Sequence, residues 1–242
     1  MRSKCVTGLV VLSLLVCGAG KTFAADASLG ADLVSAYVWR GLTVNDGLVA
    51  QPYVDVAADN LAVNVWGNYD IDDYDGALKS NEFSEIDLTV SYALPVDAVD
   101  ISIGHIEYLF PNGGTGTSEV FLSTWLSLLD NLSIGVDAYY DYGEVDDFYV
   151  SAGCSYDLAF DSGLGLGASA SAGYAGEDFT EAYSGAEDGG LHEYTLGLNA
   201  SYPLPRGLSV SAFLAYSDSI DEDVLPDQDE DLFGGAGVSW NF

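Results

Sequence analysis

Segments of about ten residues, in which apolar and polar side chains strictly alternate, run through most of this chain. Residues 132–141 are typical. Leu132, Ile134, Val136, Ala138 and Tyr140 share one parity, and Ser133, Gly135, Asp137, Tyr139 and Asp141 the other. Period two places successive side chains on opposite faces of a β-strand. The same pattern opposes Ile86, Leu88, Val90 and Tyr92 to Glu85, Asp87, Thr89 and Ser91. Further along it opposes Leu164, Leu166, Ala168, Ala170 and Ala172 to Gly165, Gly167, Ser169, Ser171 and Gly173. Twelve such strands are predicted, at 28–40, 48–58, 61–70, 82–92, 99–110, 118–128, 132–142, 147–158, 164–174, 191–202, 208–217 and 232–242. In the fifth, Ile101 and Ile103 are out of phase with Ile106, Tyr108 and Phe110, which predicts a bulge near Gly104.

The connections alternate as well. Short turns fall at 59–60, 94–98, 130–131, 161–163 and 203–207, with longer polar loops between them at 41–47, 71–81, 111–117, 143–145, 175–190 and 218–231. Outer-membrane barrels have short periplasmic turns and longer outside loops. The fold class predicted is therefore all-β, a transmembrane antiparallel up-and-down barrel of about 12 strands. A soluble sandwich would alternate too, but Tyr37, Trp39, Tyr69, Tyr92, Tyr140, Tyr156, Tyr202, Tyr216 and Trp240 fall near the ends of the apolar faces. That is the placement of aromatic girdles at membrane interfaces.

The start of the chain sets the expected compartment. Arg2 and Lys4 precede an apolar run from Val6 to Cys17, with small Thr22 and Ala24 following. This is the pattern of a secretory signal peptide. The run falls short of the ~20 apolar residues of a spanning helix. The division is thus a signal peptide at 1–24 and an outer-membrane β-barrel at 25–242, in a Gram-negative-type bacterium. Gly20, Lys21 and Thr22 imitate the end of a phosphate loop, but Leu15 stands where that loop needs Gly. Removing the signal leaves Arg40, Lys79 and Arg206 against all 38 acidic residues. Such an imbalance excludes nucleic acid as a partner, and the aromatic content excludes a disordered acidic chain. Cys154 is then the lone cysteine, read as a small apolar strand residue.

At the other end, Val238, Trp240 and Phe242 share a parity, and Phe242 closes the sequence. The three resemble the terminal aromatic signal read by barrel-assembly machinery. The stretch from Leu33 to Gly47, LVSAYVWRGLTVNDG, resembles the TorF-like family of outer-membrane porins. There a first strand ends in a Tyr-x-Phe-Arg-Gly-like motif before a polar loop. Tyr37, Trp39, Arg40 and Gly41 match it, Ala36 stands where an acidic residue often precedes the Tyr, and "EYLFPN" at 107–112 adds to the likeness. The resemblance implies a barrel and a porin, and supplies no established substrate.

No enzyme is predicted, and no cofactor or metal. His105 and His192 lack a serine two residues on, the pattern of twelve-stranded outer-membrane phospholipases; Glu107 and Tyr194 stand there. Asp227, Asp229 and Asp231 imitate the first ligands of an EF-hand, but Leu232 and Val238 occupy its obligatory Gly and Glu positions. Three readings remain. The first is a narrow, weakly cation-preferring channel for small solutes. Its candidate pore-lining residues are Asp32, Arg40, Asp55, Asp70, Glu85, Asp87, Asp137 and Asp157. The second is a non-conducting structural or surface-interaction barrel whose acidic loops bind a partner or divalent cations. The third is a lipid hydrolase, which the histidines disfavour. The expected partners are outer-membrane lipids, the assembly machinery, and small solutes or cations; the pattern names no oligomeric state. By parity Arg40 shares the face of Asp32, where a guanidinium would moderate crowded carboxylates.

Overall fold

The computed structural model describes residues 25–242; the predicted signal peptide lies outside the described residues. After β1 (Asp26–Val34) the chain makes a small hairpin of β2 (Tyr37–Trp39) and β3 (Leu42–Asn45). It then runs through β4 (Val49–Ala58), β5 (Leu61–Asp70), β6 (Glu82–Ala93), β7 (Asp100–Leu109), β8 (Thr117–Leu129) and β9 (Leu132–Asp141). It continues through β10 (Asp147–Ala159), β11 (Gly165–Ala175), β12 (Gly190–Pro203), β13 (Leu208–Ser219) and β14 (Leu232–Asn241). The wall consists of β1 and β4 to β14. Each pairs antiparallel with its neighbours along the chain, and β1 pairs with β14, so the twelve strands form a closed barrel. Closure leaves no strand edge in lipid, where unpaired peptide groups would cost several kcal/mol each. At the seam, Phe242 N–H donates to the Ala27 carbonyl at 2.9 Å and Ala27 N–H to the Phe242 carbonyl at 3.4 Å.

The outer wall carries the apolar parity. Leu29, Val54, Leu88, Leu122, Val136 and Leu198 are all exposed. In water a continuous surface of this kind would be an aggregation site; against lipid chains it is at no disadvantage. Tyr92, Tyr140, Tyr156, Tyr202 and Trp240 are exposed on the same wall. The inner wall carries Gly, Ser and carboxylates together with aromatic side chains, among them Tyr53, Phe121 and Trp125, which lie against the inward glycines Gly30, Gly104 and Gly135.

Residues 35–48 depart from the pattern. The first strand stops at Val34 rather than reaching Arg40. Strands β2 and β3 pair only with each other, outside the wall. The two central residues of their hairpin, Arg40 and Gly41, have φ of 49° and 79°, the positive values a two-residue type I′ turn requires. Tyr37 and Trp39 are therefore not girdle residues. Tyr37 is buried in a cluster with Val34 and Val49, against Trp66, Phe213 and Phe233. These inward aromatics offer the hairpin a better-packed environment than water, and that tertiary packing overrides the strand pattern.

The bulge predicted at Gly104 is also absent. The β6–β7 register runs unbroken from Ile86↔Leu109 to Ala93↔Ser102. Ile106 and Tyr108 instead lie on the inner parity, opposite Thr89 and Asp87, and Tyr108 meets the Trp39 ring of the hairpin edge-on. Register shifts occur at Asn68/Tyr69, Ser127/Leu129 and Ala172/Tyr174. The loop of residues 176–189 contains a short helix, α1 (Glu177–Tyr183), which the polar composition did not announce.

The seam generates a first prediction. The Trp240 and Phe242 rings pack at a tilt with centroids 4.8 Å apart beside the Ala27 pairing. Deleting Phe242 should lower the yield of assembled barrel severalfold. The fraction that does assemble should keep the parent's heat-modifiable gel mobility. An unchanged yield would refute the assignment of an assembly role to this residue.

Candidate functional site

The interior at the long-loop end is organised around Arg40. Its two terminal nitrogens donate to the two carboxylate oxygens of Glu119 on β8, each at 2.7 Å. The side chains are 8% and 1% exposed. The guanidinium lies over the rings of Tyr139, Trp39 and Tyr149 at 4.3, 4.4 and 4.6 Å. Phe179 of α1 is 5.5 Å away. Planar, delocalised and weakly hydrated, a guanidinium suits this aromatic enclosure better than an ammonium would. Burial alone would push the Arg40 pKa down, but the adjacent Glu119 carboxylate more than offsets it, and the pKa is raised. The arginine stays charged.

The turn makes this placement possible. A Cβ on Gly41 would come within 2.7 Å of Glu193 Cβ and 2.9 Å of Leu225 Cδ2. Only glycine fits there, with φ positive and the wall this close. Asn45 holds the hairpin base, donating to Asp70 at 2.7 Å. Gln228, in the last loop, accepts from the Thr43 backbone at 2.9 Å. Helix α1 closes the other side. Asp147 on β10 accepts the Phe179 N–H at 2.9 Å, capping the helix from outside its own sequence. Trp39, Phe179 and Tyr183 pack ring against ring, with centroids 4.8 to 5.8 Å apart.

Buried carboxylates surround this core. Asp141 accepts from Thr117 at 2.6 Å and from Tyr183 at 3.2 Å. Glu193 accepts from Tyr149, and from His192 Nδ1 at 2.8 Å. Of the candidate lining residues, Asp70, Glu85 and Asp87 lie beside the hairpin on β5 and β6, and one Asp87 oxygen is buried without a partner. Asp55 accepts from Ser28 at 2.8 Å, Asp137 from Ser123 at 2.5 Å and Asp157 from Ser155 at 3.3 Å. These three, with Asp32, lie on the inner parity of β4, β9, β10 and β1, and do not touch Arg40. Lys79 and Arg206 are exposed outside the lumen, so Arg40 is its only arginine or lysine among the described residues.

Glu119, the partner of Arg40, is absent from the candidates read in the sequence. Its signal was parity alone: it opposes Val120 and Leu122, and their exposure marks the lipid side. Phe179 had no such signal, because nothing in the loop's composition says that it folds inward. His105, on the outer wall, meets Tyr142 Oη at 2.7 Å and Glu107 at 3.9 Å. Ser118 hydrogen-bonds to Glu107 instead, so the described contacts hold no Ser–His pair.

Between the hairpin and the wall lies a cavity of about 430 Å³. Its lining includes Tyr37, Trp39, Tyr108, Phe110 and Tyr183, with the Glu85 carboxylate among them.

No protein-family model matches the chain, and no curated protein matches it in sequence. Its fold is that of solved outer-membrane porins and channels. It is similar to a KdgM porin in complex with disordered oligogalacturonate, with 10% identity and a TM-score of 0.57; 90% of this chain and 99% of that one are covered. It is also similar to an outer-membrane channel from Pseudomonas putida F1, with 13% identity and a TM-score of 0.54, covering 93% and 97%.

The ion pair generates a second prediction. Arg40→Asn places a residue that tolerates positive φ but leaves the Glu119 charge buried without its counter-ion, answered only by the Tyr108 hydroxyl at 2.9 Å, which costs about 3–5 kcal/mol. The barrel should lose its folded gel mobility at a lower temperature than the parent. Adding Glu119→Gln removes the stranded charge and should restore at least half of that loss. Equal transitions in the single and double variants would mean that the pair carries no stability.

Proposed function

We propose that this chain is an outer-membrane barrel that passes small solutes through a narrow, weakly cation-preferring lumen. The observation that carries the reading is the charge balance inside. Several carboxylates line the inner wall, and the one arginine there is already held by Glu119 in a bidentate pair. A low-dielectric wall with an acidic lining attracts cations and repels anions. Asp32, Asp55, Asp70, Glu85, Asp87, Asp137 and Asp157 would line the path, with Arg40 fixing the constriction. The likeness to porins of known structure supports a channel. The Tyr-x-Trp-Arg-Gly motif, which resembles the TorF-like family, supports a place among such porins. The motif also has a physical rationale: Arg-Gly makes the tight turn, and the two aromatics pack it inside. The oligogalacturonate named with one similar porin is a polyanion. An acidic lumen disfavours that ligand class, so it is not carried over.

Export by a cleaved signal, insertion by the barrel-assembly machinery and residence among outer-membrane lipids belong to the same proposal. No catalytic reaction is assigned. A second reading is favoured by one observation, the filling of the long-loop end by hairpin and helix. In it the barrel does not conduct, and its acidic loops meet a surface partner.

Planar-bilayer recording in a potassium chloride gradient separates the two readings. The channel reading expects discrete conductance steps and a reversal potential of cation-preferring sign. Anion preference would reject it in this form, and the absence of any conductance would favour the surface-interaction barrel.

A further inference from the structure

The cavity beside the hairpin combines two properties that point to one class of ligand. Five aromatic rings contribute to its lining, and one carboxylate, Glu85, is set among them at 6% exposure. Arg40 does not neutralise that carboxylate. Both guanidinium nitrogens that reach a carboxylate reach Glu119. The polar neighbours of Glu85 are Tyr37 and Asp87, and the second of these is itself acidic, with a buried oxygen that has no partner. Glu85 and Asp87 hydrogen-bond to each other, so the two carboxyl groups share a proton, and the pair sets one negative charge behind aromatic faces.

We propose that this cavity is a binding site for small alkylated ammonium ions, with Glu85 as counter-charge and Trp39, Tyr108 and Tyr183 as the enclosing rings. Ring faces attract cations through their quadrupole, the more so when the ion is desolvated. A quaternary ammonium has no N–H and so needs no acceptor when it leaves water. A primary ammonium would need three acceptors, and the cavity's polar groups are largely engaged: Gln228 Oε1 already accepts from the Thr43 backbone and Ser184 Oγ donates to the Thr180 carbonyl. The volume of about 430 Å³ accommodates an ion with several methyl groups. This assignment rests on the cation-preferring reading of the lumen and narrows it to a solute class.

The test uses the purified full barrel in detergent micelles, with choline as the probe and 3,3-dimethylbutan-1-ol as its uncharged isostere. Trp39 lines the cavity, so binding should change tryptophan emission. Choline should give a saturable change, and the isostere should bind at least tenfold more weakly. Glu85→Gln should weaken choline binding at least tenfold. If that variant fails to fold, the comparison of choline with its isostere on the parent decides alone. No saturable response to choline, or equal binding of the two probes, overturns the proposal. Equal choline binding by a folded Glu85→Gln barrel also overturns it. Bilayer recording of the same preparation keeps the two readings apart. Cation conductance without choline binding removes only this inference. Choline binding without conductance removes the channel and leaves the site.

Discussion

Arg40 carries its charge where water scarcely reaches, and Glu119 answers it through two parallel hydrogen bonds from the opposite wall. The two residues are 79 positions apart in sequence. The pair therefore ties the loop after the first strand to the far side of the barrel. The rest of that end depends on the tie. The hairpin must enter the lumen for Arg40 to reach Glu119, and Trp39 enters with it. Once inside, Trp39 gives α1 an aromatic surface to dock on through Phe179 and Tyr183. Leu225, fully buried in the last loop, seals the outer side of the turn at Gly41.

The arrangement divides the barrel unequally. The long-loop end is filled by hairpin and helix, and towards the short turns the inner face carries Ser, Gly and carboxylates that accept from Ser28, Ser123, Ser155 and Trp125. The cavity beside the hairpin on the β5–β7 side is lined by Tyr37, Glu85 and Tyr108. A buried carboxyl group such as Glu85 is costly to keep from water, and Arg40, engaged with Glu119, does not pair with it.

The wall was legible in the sequence because lipid and lumen impose opposite demands on adjacent residues. Leu132 to Asp141 alternates so regularly that strand, boundaries and face can all be read from it. The hairpin was not legible for a related reason. Tyr37, Trp39 and Arg40 continue the alternation of β1, so parity extended the strand through them, although the chain turns inward after Val34. Ile106 and Tyr108 misled in the same manner. Apolar residues on the inner parity read as a bulge, when in fact the hairpin brings the Trp39 ring inside to meet Tyr108. Glu119 could be placed by parity but not paired, because pairing depends on a loop whose direction no local pattern encodes. Arg-Gly at a tight turn was the one local clue.

Single-channel conductance of the parent and of a variant with residues 36–46 replaced by a short Gly-Ser link tests the account most directly. Both proteins must show folded gel mobility. If the inward hairpin held by Arg40 and Glu119 sets the constriction, the shortened barrel should conduct severalfold more and discriminate less between ions. Equal conductance and equal selectivity in the two would contradict the account, and would place the limiting passage elsewhere in the barrel.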